Sequence, residues 1–288
     1  MTKPCLGPDP HPRAPKFAVP AGACDCHAHV LGPPETYPYV ANRSYTPPTA
    51  SLESYRELHR VLGIERAVIV QPSVHGTDNR VTLDGIAGYG PNARGIAVVE
   101  ADVDDRELAR LDAGGIRGVR LNLLFGGGVG LQALETLSGR IADMGWHVQL
   151  LLDARDLVEL APRLRRLPVA IVIDHMGHMN VAHGMDHPGF QALLDLVREG
   201  VCWVKLSGNY RICASGPHYA DAIPFARALI EAAPAHMVWG TDWPHPALED
   251  VMPNDGDLLD ALAQYAPGAD LRHAILVDNP ARLYGFDQ

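Results

Sequence analysis

Residues 169–176 read VAIVIDHM: five consecutive apolar side chains, then an aspartate, a histidine and a methionine. A strand with one wet face alternates apolar and polar residues. An unbroken run of this length instead belongs to a parallel strand buried on both faces. Seven other runs share the form: ACDCHAHV (23–30), RAVIVQPS (66–73), ARGIAVVE (93–100), IRGVRLNL (116–123), WHVQLLLD (146–153), VCWVKLSG (201–208) and HMVWGTDW (236–243). Between them, Leu52–Leu62, Asp104–Ala113, Leu131–Met144, Pro188–Arg198 and Tyr219–Ala232 carry apolar residues at three and four spacing, the pattern of amphipathic helices. Eight such units in about 250 residues predict an α/β protein with a (β/α)8 (TIM) barrel. The competing architecture, a doubly wound open sheet, calls for a glycine fingerprint after the first strand, and none is there. The run Gly126–Gly128 follows the fourth strand and reads as a flexible loop.

The rest of the chain bounds what such a barrel can bind. It has 288 residues, 47% of them hydrophobic, and 24 Lys+Arg against 34 Asp+Glu give a formal charge of −10. An acidic protein without a Lys/Arg cluster has no face for phosphates, which excludes nucleic acid and anionic membrane and leaves small polar molecules. No apolar run reaches the roughly 18 residues of a membrane span, and the N-terminus lacks the apolar core of a signal peptide. A cytoplasmic location is the expectation. Nothing in the composition assigns an oligomeric state. The five cysteines are odd in number and lack CxxC spacing, so they read as reduced thiols. Residues 1–22 hold six prolines and predict an extended N-terminal arm, with the barrel domain occupying 23–288.

Residues at the C-terminal ends of barrel strands meet at the mouth, where the chemistry of this fold is done. The first run ends in Asp25-Cys26-His27-Ala28-His29, and the two-residue period of a strand turns His27 and His29 to one face. By the same alternation Cys24 and Cys26 point the other way, toward a helix, while Asp25 reads either as a support behind the site's side chains or as a strand-end hydrogen-bonding partner. The sixth run ends in Asp174-His175-Met176-Gly177-His178 and the eighth in Thr241-Asp242-Trp243-Pro244-His245. His27, His29, His175 and Asp242 therefore converge. Such a set can hold one zinc ion with an open position, or, without metal, form a preorganised field around a polarised carbonyl.

The motifs DCHAHVLGP, QPSVHGTDN, GVRLN, IDHMGH, KLSGNYR and GTDWPHP resemble the amidohydrolase superfamily over roughly residues 23 to 286, in the branch that contains 2-pyrone-4,6-dicarboxylate lactonase. The resemblance implies a hydrolase that opens the lactone ring of a carboxylated organic acid, with Asp242 activating water and no metal required. It also implies that Ser73 and Tyr45 contact substrate. Arg120 and Arg211, which end or follow strand runs, are each placed to offer a bidentate fork to a carboxylate. Asn122, His75 and Gln149 add polar groups near the mouth. Departures narrow the substrate: LLFGGGVG follows GVRLN where relatives carry more basic residues, and His178 stands where they often have arginine. Fewer carboxylates, or a different ring, are indicated. Other readings are a zinc-dependent decarboxylase of an aromatic or unsaturated acid, a hydrolase or isomerase of a sugar-acid lactone, and a barrel that only binds acidic metabolites. His183 and His187 lie in a Gly/Pro-containing loop and read as solvated.

Overall fold

The computed structural model describes residues 3–213 and 219–287; residues 1–2, 214–218 and 288, which include the outer limits of the expected arm and barrel, lie outside that description. Eight parallel strands pair in chain order: β1 (Cys24–Ala28), β2 (Arg66–Val70), β3 (Ala93–Ala97), β4 (Ile116–Asn122), β5 (His147–Leu151), β6 (Ile171–Ile173), β7 (Cys202–Leu206) and β8 (Met237–Trp239). The expected (β/α)8 barrel is the fold. Around it stand α1 (Leu52–Leu62), α2 (Arg80–Tyr89), α3 (Asp105–Ala113), α4 (Leu134–Ile141), α5 (Leu157–Leu164), α6 (Pro188–Arg198), α7 (Ile223–Ala232) and α8 (Asp255–Tyr265). The helix read over 131–144 keeps an α-helical middle and tightens to single 3-10 turns at both ends. The one read over 219–232 begins with a 3-10 turn, and Pro224, which has no N–H to give, sits in the first turn of α7.

Closure brings β8 back to β1. Past the end of β8, Asp242 N donates to His27 O at 2.8 Å and His29 N donates to Trp243 O at 2.7 Å. Gly240 allows this approach, since a Cβ there would meet His27 N at 2.7 Å. Asp25 pins the seam from the outside. Its Oδ1 accepts from the Thr241 and His27 amides at 2.9 and 3.0 Å, and its Oδ2 from the Thr241 and Tyr55 hydroxyls at 2.5 and 3.0 Å. Burial pushes this carboxyl up, yet His59, Thr241 and the His27 amide outweigh it and hold its pKa below the ordinary value.

One expectation about β1 is overturned. Cys24 and Cys26 do not face a helix; they pack with Val68, Val70, Ile96, Val172, Trp203 and Val238, residues of five other strands that can meet only inside the barrel, above a floor of Tyr284 and Phe286. The pairing of β1 with β2 shifts register between Asp25 and Ala28. That irregularity breaks the alternation, so Cys26 and the adjacent His27 both enter the interior.

The arm crosses the mouth of its own barrel. Lys3–Pro4 pairs with Tyr45–Thr46, Leu6 N donates to Leu248 O at 2.8 Å, and Arg13 N donates to Asn254 Oδ1 at 3.0 Å. Among the described residues no helix is long and apolar enough to cross a membrane.

Asp25→Asn keeps one oxygen where five donors, His59 Nε2 at 3.4 Å among them, now share two, so at least one buried donor loses its acceptor. A loss of about 1–3 kcal/mol per orphaned group is expected in denaturant unfolding; unchanged stability would mean that the seam holds without this carboxylate.

Candidate active site

A narrow cleft of about 20 Å³ lies at the C-terminal mouth, lined by His29, Tyr45, Ser73, Arg120, Asn122, Phe125, Leu151, His175, Arg211, Asp242 and Pro246. The strand ends expected to meet do meet. His27 lies just beneath, its ring 5.0 Å from His29 and 4.7 Å from His175, centroid to centroid.

Hydrogen bonding sets the proton position on one of these rings. His29 Nδ1 lies 2.8 Å from the carbonyl of Val70, which can only accept, so Nδ1 carries the proton and Nε2 is left as an acceptor. Lys205 Nζ, which can only donate, lies 3.2 Å from His27 Nδ1. Asp174 Oδ1, which can only accept, lies at 3.2 Å from the same nitrogen, and His27 Nε2 is 3.3 Å from His29 Nε2. His175 Nδ1 is 2.9 Å from Ser207 Oγ, and its Nε2 faces the cleft. Burial pushes all three imidazoles below the ordinary histidine value, His29 and His175 well below it.

Asp242 is the carboxylate among them, 1% exposed and in the left-handed backbone region at φ 66°. Its two oxygens are unlike. Oδ2 accepts from Tyr210 Oη and Arg211 Nε, both at 2.5 Å. Oδ1 is buried without a hydrogen-bond partner, 3.7 Å from His27 Nε2 and 3.8 Å from His29 Nε2. Burial raises the Asp242 carboxyl, but the Arg211 guanidinium and the His175, His27 and His29 rings together outweigh it and hold the group well below the usual carboxylate range.

Beneath the cleft lies a second charged cluster. Asp174 Oδ2 accepts from Arg120 Nε and Nη2 at 3.1 and 3.0 Å and from Gln149 Nε2 at 3.0 Å, while Gln149 Oε1 accepts from Lys205 at 2.7 Å. Two cations thus meet one buried carboxylate. Burial pushes the Lys205 ammonium down and Asp174 pulls it up, the net being a lowered value. Sequence reasoning missed Lys205 and the central place of Asp174, as well as Tyr210. A lysine inside the apolar run VCWVKL was the available signal, because a charge in a barrel strand must find a partner.

The remaining expected residues divide. Tyr45, Ser73, Arg120, Asn122 and Arg211 border the cleft. Both arginine forks, however, are already engaged: Arg120 on Asp174, and Arg211 on Asp242 and on Pro246 O at 3.0 Å. Asn122 Oδ1 accepts from the Leu124 and Phe125 amides at 3.0 and 2.9 Å and leaves Nδ2 buried without a partner. Gln149 sits below the cleft, bound to Lys205 and Asp174. His75 turns to Pro38 O at 3.2 Å and to the Tyr39 ring, away from the cleft. His178 stands behind His175, ring centroids 6.1 Å apart. His183 is exposed, and His187 caps α6 through the Gly189 amide.

Imidazoles and a carboxylate gathered at the mouth of a parallel barrel define a (β/α)8-barrel enzyme. The chain belongs to the amidohydrolase family, whose model matches residues 24–286. It is 42% identical over 285 residues to a 2-pyrone-4,6-dicarboxylate hydrolase of Comamonas testosteroni, covering 95% of this chain and 93% of that protein. It is also 42% identical over 288 residues to a 4-sulfomuconolactone hydrolase of Hydrogenophaga intermedia, covering 98% and 94%. A solved apo structure from Agrobacterium tumefaciens superposes with a TM-score of 0.88 at 33% identity, covering 95% of this chain and 99% of that one.

These buried rings make stability depend on pH. His27, His29, His75, His147 and His175 are all pushed down by burial, His147 to about 3. Unfolded, they take up protons near about 6.5; folded, only at lower pH. Between those values the unfolded chain binds more protons, so stability is full above that range and falls as pH falls. Asp174 and Asp242, both held low, add a loss in the same direction further down. The denaturation midpoint is expected to decline steadily from about pH 6.5 toward pH 4; a midpoint that stays level would mean that the rings accept protons in place.

Proposed function

We propose that this protein hydrolyses the lactone ring of an anionic organic acid, with Asp242 as the base that activates water. The observation that carries the reading is Asp242 Oδ1: a buried carboxylate oxygen without a partner, beside the imidazoles at the cleft. The lactone hydrolases among its relatives support it.

Asp242 Oδ1 takes a proton from water as the water oxygen bonds to the lactone carbonyl carbon. The carbonyl oxygen becomes an oxyanion, stabilised by the N–H groups and guanidinium charge that face the cleft. When the intermediate collapses, the ring C–O bond breaks and the departing oxygen takes the proton held by Asp242. The product is the open-chain acid. Arg120 Nη1, the nitrogen left over from the pairing with Asp174, and the unpartnered Nδ2 of Asn122, two residues further along β4 and so on the same face, supply the donors for the substrate anion, with Tyr45 and Ser73 at the rim.

The same donor set fits one divalent ion. Ligand atoms of His27, His175 and Asp242 lie within 4.8 Å of one another, and His29 Nε2 presents a lone pair beside them. A ligating His27 carries its proton on Nδ1, for which Asp174 Oδ1 is an acceptor 3.2 Å away. His27, His29, His175 and Asp242 would hold a zinc ion, which when bound supplies Lewis-acid activation of the carbonyl or of water.

The test is turnover of carboxylated and sulfonated lactones, 2-pyrone-4,6-dicarboxylate among them, before and after chelation. Ring opening that survives chelation, with Asp242→Asn lowering kcat about 100- to 10,000-fold in a folded protein, is the expected result. Activity lost on chelation and restored by zinc would assign the four side chains as ligands. An Asp242→Asn variant at full rate would remove the proposed base.

A further inference from the structure

Asp242 is held from behind by a file of residues that the proposed chemistry does not use. Tyr210, in the one-turn helix Asn209–Ile212 that follows β7, gives its hydroxyl to Asp242 Oδ2 at 2.5 Å. Its oxygen lies 3.0 Å from His245 Nδ1, and His245 Nε2 lies 3.1 Å from Asp255 Oδ1. His245 and Asp255 are both completely buried. Asp255 opens α8, so the file ties the catalytic loop to the frame of the barrel.

A phenol has one proton to give. Once it goes to Asp242, the tyrosine oxygen can only accept from His245 Nδ1, and since Asp255 Oδ1 can only accept from Nε2, both ring nitrogens are donors. The ring is in turn steadied by Asp255, and with Nδ1 occupying its lone pair the hydroxyl is aimed at Asp242. Tyr210 does not line the cleft; it reaches Asp242 from the opposite side, where it borders an outer groove with Tyr219 and Met252.

The arrangement matters because a carboxylate is two-fold about its last torsion, and either oxygen can face the cleft. Arg211 alone leaves Oδ2 with one donor from one direction. A second donor at the same oxygen sets the carboxylate plane.

We propose that Tyr210 is a positioning residue, held by His245 and Asp255, that fixes the Asp242 carboxylate so that Oδ1 alone is presented to the water and the lactone carbonyl. The inference rests on the reading of Asp242 as the base. It goes beyond that reading in assigning the rate to a file of side chains that never touch substrate.

The experiment compares wild type, Tyr210→Phe, Asp255→Asn and the double variant in kcat, KM and melting temperature, together with a crystal structure of Tyr210→Phe. Tyr210→Phe is expected to lower kcat about 10- to 100-fold, as misplacement of a reacting group by about 1 Å does, with KM changed less than about twofold. Asp255→Asn lowers kcat in the same direction by less. The double variant falls no further than Tyr210→Phe alone, because both act through one contact. In the crystal structure the Asp242 carboxylate is rotated or split between orientations. A folded Tyr210→Phe at full kcat, a loss confined to KM, or losses that multiply in the double variant would overturn the proposal. If wild type opens no lactone, the lactone reading falls by itself and the crystal structure decides: a turned carboxylate upholds the positioning role, an unmoved one ends it.

Discussion

The seam between β8 and β1 is the constraint on which the rest of the molecule depends. Two backbone hydrogen bonds, from Asp242 N to His27 O and from His29 N to Trp243 O, return the last strand to the first. They are made by the residues of the site themselves. Closing the barrel and bringing Asp242 to its imidazoles are therefore one event. A cooperative fold supplies a geometry that no local segment could hold, since His29 and Asp242 are more than two hundred residues apart in the chain.

Charge is managed in two tiers around that seam. The lower tier sets Arg120 and Lys205 against Asp174 inside the barrel, with Gln149 bridging. Buried ions are costly unless paired and hydrogen-bonded, and this group is nearly saturated. It also reaches the upper tier, since Lys205 Nζ and Asp174 Oδ1 both lie 3.2 Å from His27 Nδ1. In the upper tier, Arg211 and Tyr210 occupy one oxygen of Asp242 and leave the other bare. An unsatisfied buried carboxylate oxygen is unfavourable for stability, and it is also the kind of group that water approaching the cleft would meet.

Much of the fold was legible in the sequence because parallel barrel strands are apolar on both faces and end in polar residues. VAIVIDHM, ACDCHAHV and HMVWGTDW located three corners of the site without a structure, since position along a barrel strand is position in the barrel. The alternation rule failed within β1, where a register shift carries Cys26 and His27 to the same side. Strand period is a local property, and a bulge is set by the partner strand. Arg120 illustrates the same limit. Its place at the end of β4 was legible, but its engagement with Asp174 was not, because a long side chain chooses its partner in space.

The sequence by itself determined the barrel, the strand order and the convergence of His27, His29, His175 and Asp242, because these follow from hydrophobic runs and from where each run stops. Only the tertiary structure decided which oxygen of Asp242 is free, which nitrogen of His29 carries the proton, and that Lys205, Tyr210, His245 and Asp255 stand behind them. Those outcomes depend on ångström-scale contacts between residues far apart in the chain, whereas the fold depends on a pattern that neighbouring residues already spell out.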